Sequence, residues 1–380
     1  MKFRADRAEF AEAATWALRS VGARATLPAL SGVRLEVTGD RLVLSSTDLE
    51  IASELSIPVS AEREGVALVP GRLLGDVVRS LPPAGVSAEA DADRLHLACG
   101  RARFDLRLMP VEDFPPLPEP AEDARVAVLK VEEFVRTASQ VARAASADDA
   151  RPVLTGVSLE ATAGTLTAAA TDSYRLAVRT VPWEQGTEAT ALVPRRALVE
   201  AQRAADALGS EVRIVLESSQ VTFLFGDRRI TTRLIEGQFP PFRQLLPSDF
   251  ERRLDIDRAE FVEVVKRVAV VGGESGTTVT PVTLHLTADT VRVTAGTGEV
   301  GQAEESMPGS LEGDDLQIAF NPRYLTDGLE VAGTERIRME FRDELKPAVI
   351  RPVPAADPGS GSGTEPVTAD FLYLLMPVRL

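Results

Sequence analysis

Histidine and cysteine are almost missing from this 380-residue chain, which has two of the first and one of the second. A lone Cys99 excludes an internal disulfide and any cysteine-rich metal site, and its alternating surroundings read as a buried strand. His96 and His285 also sit in strand-like alternation, which leaves little material for a histidine base or a multi-histidine metal centre. Both read as structural. No G-x-x-x-x-G-K-[ST] loop occurs, and Thr294-Ala295-Gly296-Thr297-Gly298 lacks the following helix that a nucleotide loop needs. No cofactor and no metal are therefore expected. No apolar run reaches the roughly 20 residues that span a bilayer. Met1-Lys2-Phe3-Arg4 lacks an apolar targeting core, so a cytosolic compartment without membrane contact is expected. Positive charge is short as well, with 42 basic against 57 acidic residues, a net charge of −15 and only four lysines. Such a field repels a polyanion, and a protein that holds DNA by neutralising many phosphates should be basic.

What the chain does have is one statement made three times. Glu9-Phe10, Glu133-Phe134 and Glu260-Phe261 each open a helix-like run, with the phenylalanines 124 and 127 residues apart. Phe10, Ala14 and Ala17 match Phe134, Ala138 and Val141, then Phe261, Val265 and Val268, which is one helical stripe at i, i+4 and i+7. The period is a whole domain, well beyond the roughly 20–50 residues of a solenoid unit. Val69-Pro70, Val193-Pro194 and Asn321-Pro322 mark a second helix start, because proline needs no N–H in the first turn. Apolar residues three and seven positions on, Leu73 and Val77, Ala197 and Ala201, then Leu325 and Leu329, predict its buried face. Phe114-Pro115-Pro116-Leu117-Pro118 and Phe239-Pro240-Pro241-Phe242 read as stiff linkers.

Between these landmarks the period becomes two. Val33–Val37 and Leu42–Leu44, Val157–Glu160 and Thr165–Thr167, and Val282–Leu286 and Val291–Val293 each flank a short turn and read as hairpins. The fold class is α+β, with two helices on one sheet face in each of three tandem domains. They are expected at 1–120, 126–247 and 250–380, the last with a flexible Gly/Ser/Pro-rich loop at about 354–368. Asp48 and Asp172, each after a threonine, occupy equivalent places and read as turn formers rather than an acid–base pair. The arginines gather on the helices, from Arg19, Arg72 and Arg79 to Arg195, Arg196, Arg203 and Arg323, tempered by acids on the same helices.

Those repeats, together with Ala170-Thr171-Asp172-Ser173-Tyr174-Arg175-Leu176-Ala177, Phe320-Asn321-Pro322-Arg323-Tyr324-Leu325 and the terminal Leu375-Met376-Pro377-Val378-Arg379-Leu380, resemble the bacterial DNA polymerase sliding clamps, the beta subunits of the replicative polymerase. The resemblance covers residues 1 to 380, and Lys346-Pro347-Ala348-Val349 with Tyr174 is similar to the actinobacterial branch. It implies a non-catalytic processivity factor. The ring would be a head-to-tail homodimer of six like domains around duplex DNA, with partners in the polymerase catalytic subunit, the clamp loader and other clamp-motif proteins. A threaded ring is held topologically, so weak phosphate contacts suffice and a net acidic exterior does no harm.

The resemblance also implies sites. Arg24 and Arg72 match DNA-contacting positions, and in the second copy's loop Asp148, Pro152 and Val153 stand where many relatives carry polar or aromatic DNA-touching residues. The partner-peptide cleft would comprise Leu154, Thr171, Tyr174, Arg175, Leu176, Pro240, Leu245, Val349, Leu374, Met376, Pro377, Val378 and Arg379, with Gln244 where many relatives have arginine. Phe104 and Leu106 of one chain would meet Val270 and Val271 of the other. A duplicated clamp kept for another purpose, such as antibiotic tolerance, or a repeat-built scaffold is the alternative. The acidic Asp148-Asp149 loop keeps it open.

Overall fold

The computed structural model describes residues 1–22, 27–121, 124, 126–162, 164–183, 188–205, 210–272, 280–296, 301–354 and 370–379. Arg24 and residues 355–368 of the Gly/Ser/Pro-rich stretch therefore lie outside the described residues. Six α-helices are present among them: α1 (Arg7–Ala17), α2 (Gly71–Ser80), α3 (Val131–Ala142), α4 (Arg195–Ala205), α5 (Arg258–Ala269) and α6 (Pro322–Val331). The threefold stripe is the buried face of α1, α3 and α5, since all nine of its residues are at most 4% exposed. Asp6 and Asp257 cap α1 and α5 by accepting N–H groups of the first turn, which satisfies donors that a helix start leaves open.

Five of the six residues expected on the buried face of the second helices, Val77, Ala197, Ala201, Leu325 and Leu329, are buried, and Leu73 is the exception. Pro70 is the N-cap of α2 and Pro194 ends the strand before α4, whereas Pro322 is the first residue of α6 behind the N-cap Asn321. Aligned on the cap, the buried positions are Leu74, Leu198 and Leu325. Leu73 is 47% exposed, because a one-residue shift rotates a side chain by about 100° around a helix with 3.6 residues per turn.

Backbone contacts divide the chain into two compact units. The first, chiefly Met1–Val135 and Arg196–Leu234, holds two antiparallel sheets. One has the strand order Ser60–Arg63, Lys2–Ala5, Val86–Ala90, Arg94–Cys99, Ala102–Arg107. The other runs Val126–Lys130, Glu211–Leu216, Gln220–Phe225, Arg228–Arg233, Ile51–Pro58, Arg41–Thr47, Gly32–Thr38, Gly65–Pro70. Cys99 is buried there at 1% exposure.

The second unit, chiefly Arg136–Trp183 and Ile235–Leu380 with Glu188–Arg195, has a nine-stranded and a four-stranded sheet. The order in the larger is Ala189–Pro194, Gly156–Thr162, Gly164–Thr171, Arg175–Trp183, Phe371–Leu375, Ala348–Val353, Arg336–Phe341, Arg252–Asp257, Ser310–Glu312. The smaller runs Ala303–Pro308, Thr290–Ala295, Val282–Leu286, Leu316–Phe320. In each unit the larger sheet joins strands of two successive sequence repeats, so main-chain hydrogen bonds stitch one repeat to the next.

Candidate functional site

The site in the second unit starts from a tight turn. Thr171 Oγ1 donates to the Arg175 carbonyl at 2.6 Å and accepts the Ser173 N–H at 3.1 Å. Asp172 Oδ1 accepts the N–H groups of Tyr174 and Arg175 at 2.9 and 3.0 Å. These four bonds hold Ser173 at φ 82°, a left-handed conformation that a non-glycine residue adopts only when its surroundings enforce it. The turn sends the next two side chains apart. Tyr174 is 59% exposed, and Arg175 is 7% exposed.

Arg175 ties three parts of the unit together. Its Nε donates to Asp172 Oδ2 at 2.9 Å, and its Nη1 donates to Asp327 Oδ2 of α6 at 2.5 Å and to the Tyr373 hydroxyl at 3.3 Å. The guanidinium lies 4.4 Å over the Tyr324 ring, and that ring stacks on Tyr174 with centroids 6.3 Å apart. The Tyr373 hydroxyl donates to the Tyr324 carbonyl at 2.9 Å. Burial works against the charge on Arg175, but Tyr373, Asp327 and Asp172 outweigh it and keep the group ionised. Burial pushes the Tyr373 pKa upward. Arg175, expected in the cleft, thus commits its Nε and Nη1 donors to the protein. Tyr324, Asp327 and Tyr373 belong to the site and were missed as its members, although the motif around Asn321-Pro322-Arg323-Tyr324 was visible in the sequence.

Beside this turn lies an apolar floor. Leu176 and Val349 both stand directly opposite Leu374 in neighbouring strands, and the three cluster with Ala169, Val178 and Phe242. Phe239, Leu246 and Phe250 pack against them, so the linker predicted to be stiff is part of the wall. Leu154 is buried in a short 3-10 turn, Pro152–Leu154. Around the floor the expected residues are more open. Leu245 is 56% exposed, Met376 39% and Val378 38%, while Pro240 and Pro377 are half-buried and Arg379 is exposed. The tail is pinned by Met376 N–H to the Tyr174 carbonyl at 2.9 Å and Val378 N–H to the Ala319 carbonyl at 2.8 Å. Leu345, 57% exposed, lines a cavity of about 450 Å³ with Val378 and Arg379. It escaped the sequence reading because a single leucine in a polar stretch carries no periodic signal.

The first unit contains the same construction with different side chains. Thr47 and Asp48 build the same turn, with Leu49 at φ 78°. Arg233 N–H bonds the Glu50 carbonyl at 3.2 Å, as Met376 bonds that of Tyr174. By strand register, the places of Ala169, Leu176, Val178, Leu374 and Val349 are taken by Ser45, Ala52, Glu54, Thr231 and Thr222. Thr222 and Thr231 bond each other at 3.1 Å, and Glu54 pairs with Arg229 at 3.0 Å. A floor of hydroxyls and an ion pair gives an apolar side chain nothing to displace water for. Of these two turns, the one at Thr171 and Asp172 lies beside an apolar floor and the one at Thr47 and Asp48 beside a polar floor.

The remaining expected residues fall elsewhere. Arg72 is exposed in the first turn of α2 and has no ion-pair partner among the described residues. Most of the other helix arginines are engaged. Arg19 and Arg203 bind Glu200, Arg196 binds Asp48, Arg143 binds Asp327 and Glu330, and Arg267 binds Glu305. The Asp148 carboxylate accepts the Ala150 N–H at 3.0 Å and lies 3.6 Å from Arg151. Pro152 is exposed and Val153 half-buried, the latter against Gly237. Phe104 is half-buried and Leu106 buried on Ala102–Arg107, an edge strand of the five-stranded sheet. Val270 is 76% exposed just beyond α5, and Val271 is half-buried. Among the described residues no group of histidine, cysteine and acidic side chains could hold a metal ion, and no helix is long and apolar enough to cross a membrane.

Three family models cover nearly the whole chain. They are the DNA polymerase III beta subunit N-terminal domain over residues 1–118, its central domain over 128–241 and its C-terminal domain over 243–359. A beta sliding clamp of Streptomyces coelicolor is 39% identical across the full length of both chains. The beta sliding clamp homolog GriR of Streptomyces muensis is 32% identical over 100% of this chain and 99% of its own. Among solved structures, the Bacillus subtilis DNA polymerase sliding clamp aligns with a TM-score of 0.91 at 26% identity, covering 100% of this chain and 99% of that one.

Proposed function

This chain belongs to the family of bacterial beta sliding clamps, the beta subunits of DNA polymerase III, and from that premise we propose that it closes with a second copy into a ring around duplex DNA and recruits the polymerase and other partners through the apolar floor beside Tyr174. It is a non-catalytic accessory subunit of the polymerase. The observation that carries the peptide-capture reading is the row Leu176, Leu374, Val349, present beside one turn and replaced by Ala52, Thr231, Thr222 beside its twin. Leucine and phenylalanine anchors of a short peptide would bury apolar surface there, worth about 25 cal/mol per Å² before ordering costs. Met376 at the rim suits several ligands, since its unbranched thioether repacks readily.

Two free strand edges support closure of the ring. Ala102–Arg107 and Ala303–Pro308 are terminal strands of their sheets, each with one side of unpaired main-chain groups. The first carries Arg103 and Arg107 on either side of Asp105 and the second Glu304 and Glu305, paired with Arg292 and Arg267, so the strands differ in the sign of their own charge. Phe104 and the exposed Val270 would add apolar area to a junction of these edges. Arg72, with Arg24 outside the described residues, would supply phosphate contacts of the sliding, sequence-independent kind. The domain limits 1–120, 126–247 and 250–380 remain part of this proposal.

Fluorescence anisotropy with a labelled Gln-Leu-Ser-Leu-Phe peptide tests the cleft. Saturable binding by the intact chain, lost when residues 376–380 are removed, is the expected result. An intact chain that does not bind the peptide would exclude this recruitment mode.

A further inference from the structure

Next to Tyr174 the second unit holds a cavity of about 460 Å³ whose lining includes five arginines and only three aspartates. In a chain of net charge −15 this local excess of positive charge runs against the whole. Three of the five guanidinium groups are already engaged. Arg143 binds Asp327 at 3.0 Å and Glu330 at 2.9 Å, Arg175 is held by Asp172 and Asp327, and Arg151 donates to Ser173 Oγ at 3.0 Å. The other two are open. Arg195 gives its Nε–H to the Ala142 carbonyl at 2.9 Å and keeps both Nη groups without a partner among the described residues. Arg323, exposed in the first turn of α6, has no side-chain partner among them. Two forked donor sets therefore line one cavity, the geometry that favours a carboxylate or phosphate.

The cavity borders the peptide floor at Tyr174, whose residue lines the cavity while its carbonyl accepts the Met376 N–H. An extended peptide advances about 3.3 Å per residue, so a residue within a few positions of an anchor seated beside Tyr174 reaches the arginines. We propose that Arg195 and Arg323 form an acid-reading pocket, which selects partner peptides bearing aspartate or glutamate beside their apolar anchors. The inference rests on the cleft proposed above and deepens it. A single carboxylate suits the site better than a DNA phosphate. Tyr174 joins the pocket to the peptide path, and the Asp148 and Asp172 carboxylates in the same lining oppose a heavily charged strand.

The test uses the full chain and Gln-Leu-Ser-Leu-Phe peptides extended at either end by two glutamates or by two glutamines. At one end the glutamate form should bind about tenfold more tightly, as expected of charge-assisted hydrogen bonds. That advantage should shrink to about twofold or less in an Arg195→Gln/Arg323→Gln double variant that still binds the glutamine form normally, which also shows that the variant is folded. Equal affinities of the glutamate and glutamine forms at both ends, with the unextended peptide still bound, would overturn the pocket and leave the cleft standing. Failure of every peptide to bind would remove both. A double variant that loses retention on plasmid DNA yet keeps the glutamate preference would give the two arginines to DNA phosphates and overturn the assignment.

Discussion

Gly328 of α6 sits where a methyl group has no room, since an added Cβ would lie 2.5 Å from the Cδ1 and Cε1 atoms of the fully buried Tyr373. Gly328→Ala gains about 1 kcal/mol of helix propensity but forces the ring that supports Tyr324 and Arg175 to move, an overpacking cost of typically 1–3 kcal/mol. The variant should be less stable by on the order of 1 kcal/mol in urea unfolding and should bind the peptide more weakly; a stabilised variant with normal binding would contradict this packing. The two histidines give a second residue-scale prediction. Hydrogen bonds that His96 donates to the Asp91 and Asp105 carboxylates raise its pKa above 6.5, whereas burial and then Arg292 lower that of His285. An NMR titration should show one midpoint on each side of 6.5, and two on the same side would be wrong for this structure. By linkage, the stability contributed through His96 is present below pH 6.5 and lost as the pH rises through its raised value. His285 opposes folding as the pH falls from 6.5 through its lowered value. At this scale the sequence showed Asp48 and Asp172 as turn formers, because a Thr-Asp pair carries its hydrogen-bond partners within four residues. It did not show Arg175 as buried, for Asp327 and Tyr373 lie 152 and 198 residues away.

At the scale of elements, the helices were the most legible, since a stripe of period 3.6 states which face is buried without reference to anything distant. The second helices were legible in place, and in phase except at Leu73 of α2. Proline marks a helix entrance without saying whether it is the cap or the first residue, and the error exposed Leu73 and hid Leu74. The polar twin of the peptide floor was not legible at all, because Thr222 opposite Thr231 is a fact of register between strands. The free edges carry the prediction proper to this level. Val270 is 76% exposed, so Val270→Glu should leave the fold intact while placing a carboxylate in the proposed junction. Sedimentation should then show a 40.8 kDa monomer at concentrations where the unaltered chain sediments at twice that mass. A variant that still dimerises as before would place the interface elsewhere.

For the molecule as a whole, the acidic total and the engaged helix arginines point the same way. Arg19, Arg143, Arg196, Arg203 and Arg267 are paired with the protein's own acids, which weakens their pull on phosphates, and tight salt-dependent binding needs many free cations. On the proposed ring account, retention on DNA comes from closure rather than affinity. The threefold repeat made the domain organisation readable from the sequence, while closure depends on a second copy and lies beyond any single chain. The most direct measurement of the central claim is retention of the loaded protein on a plasmid before and after linearisation, at a salt concentration that suppresses simple electrostatic binding. The ring account predicts long-lived retention on the closed circle and prompt loss once an end is cut. Equal retention on circular and linear DNA would contradict it.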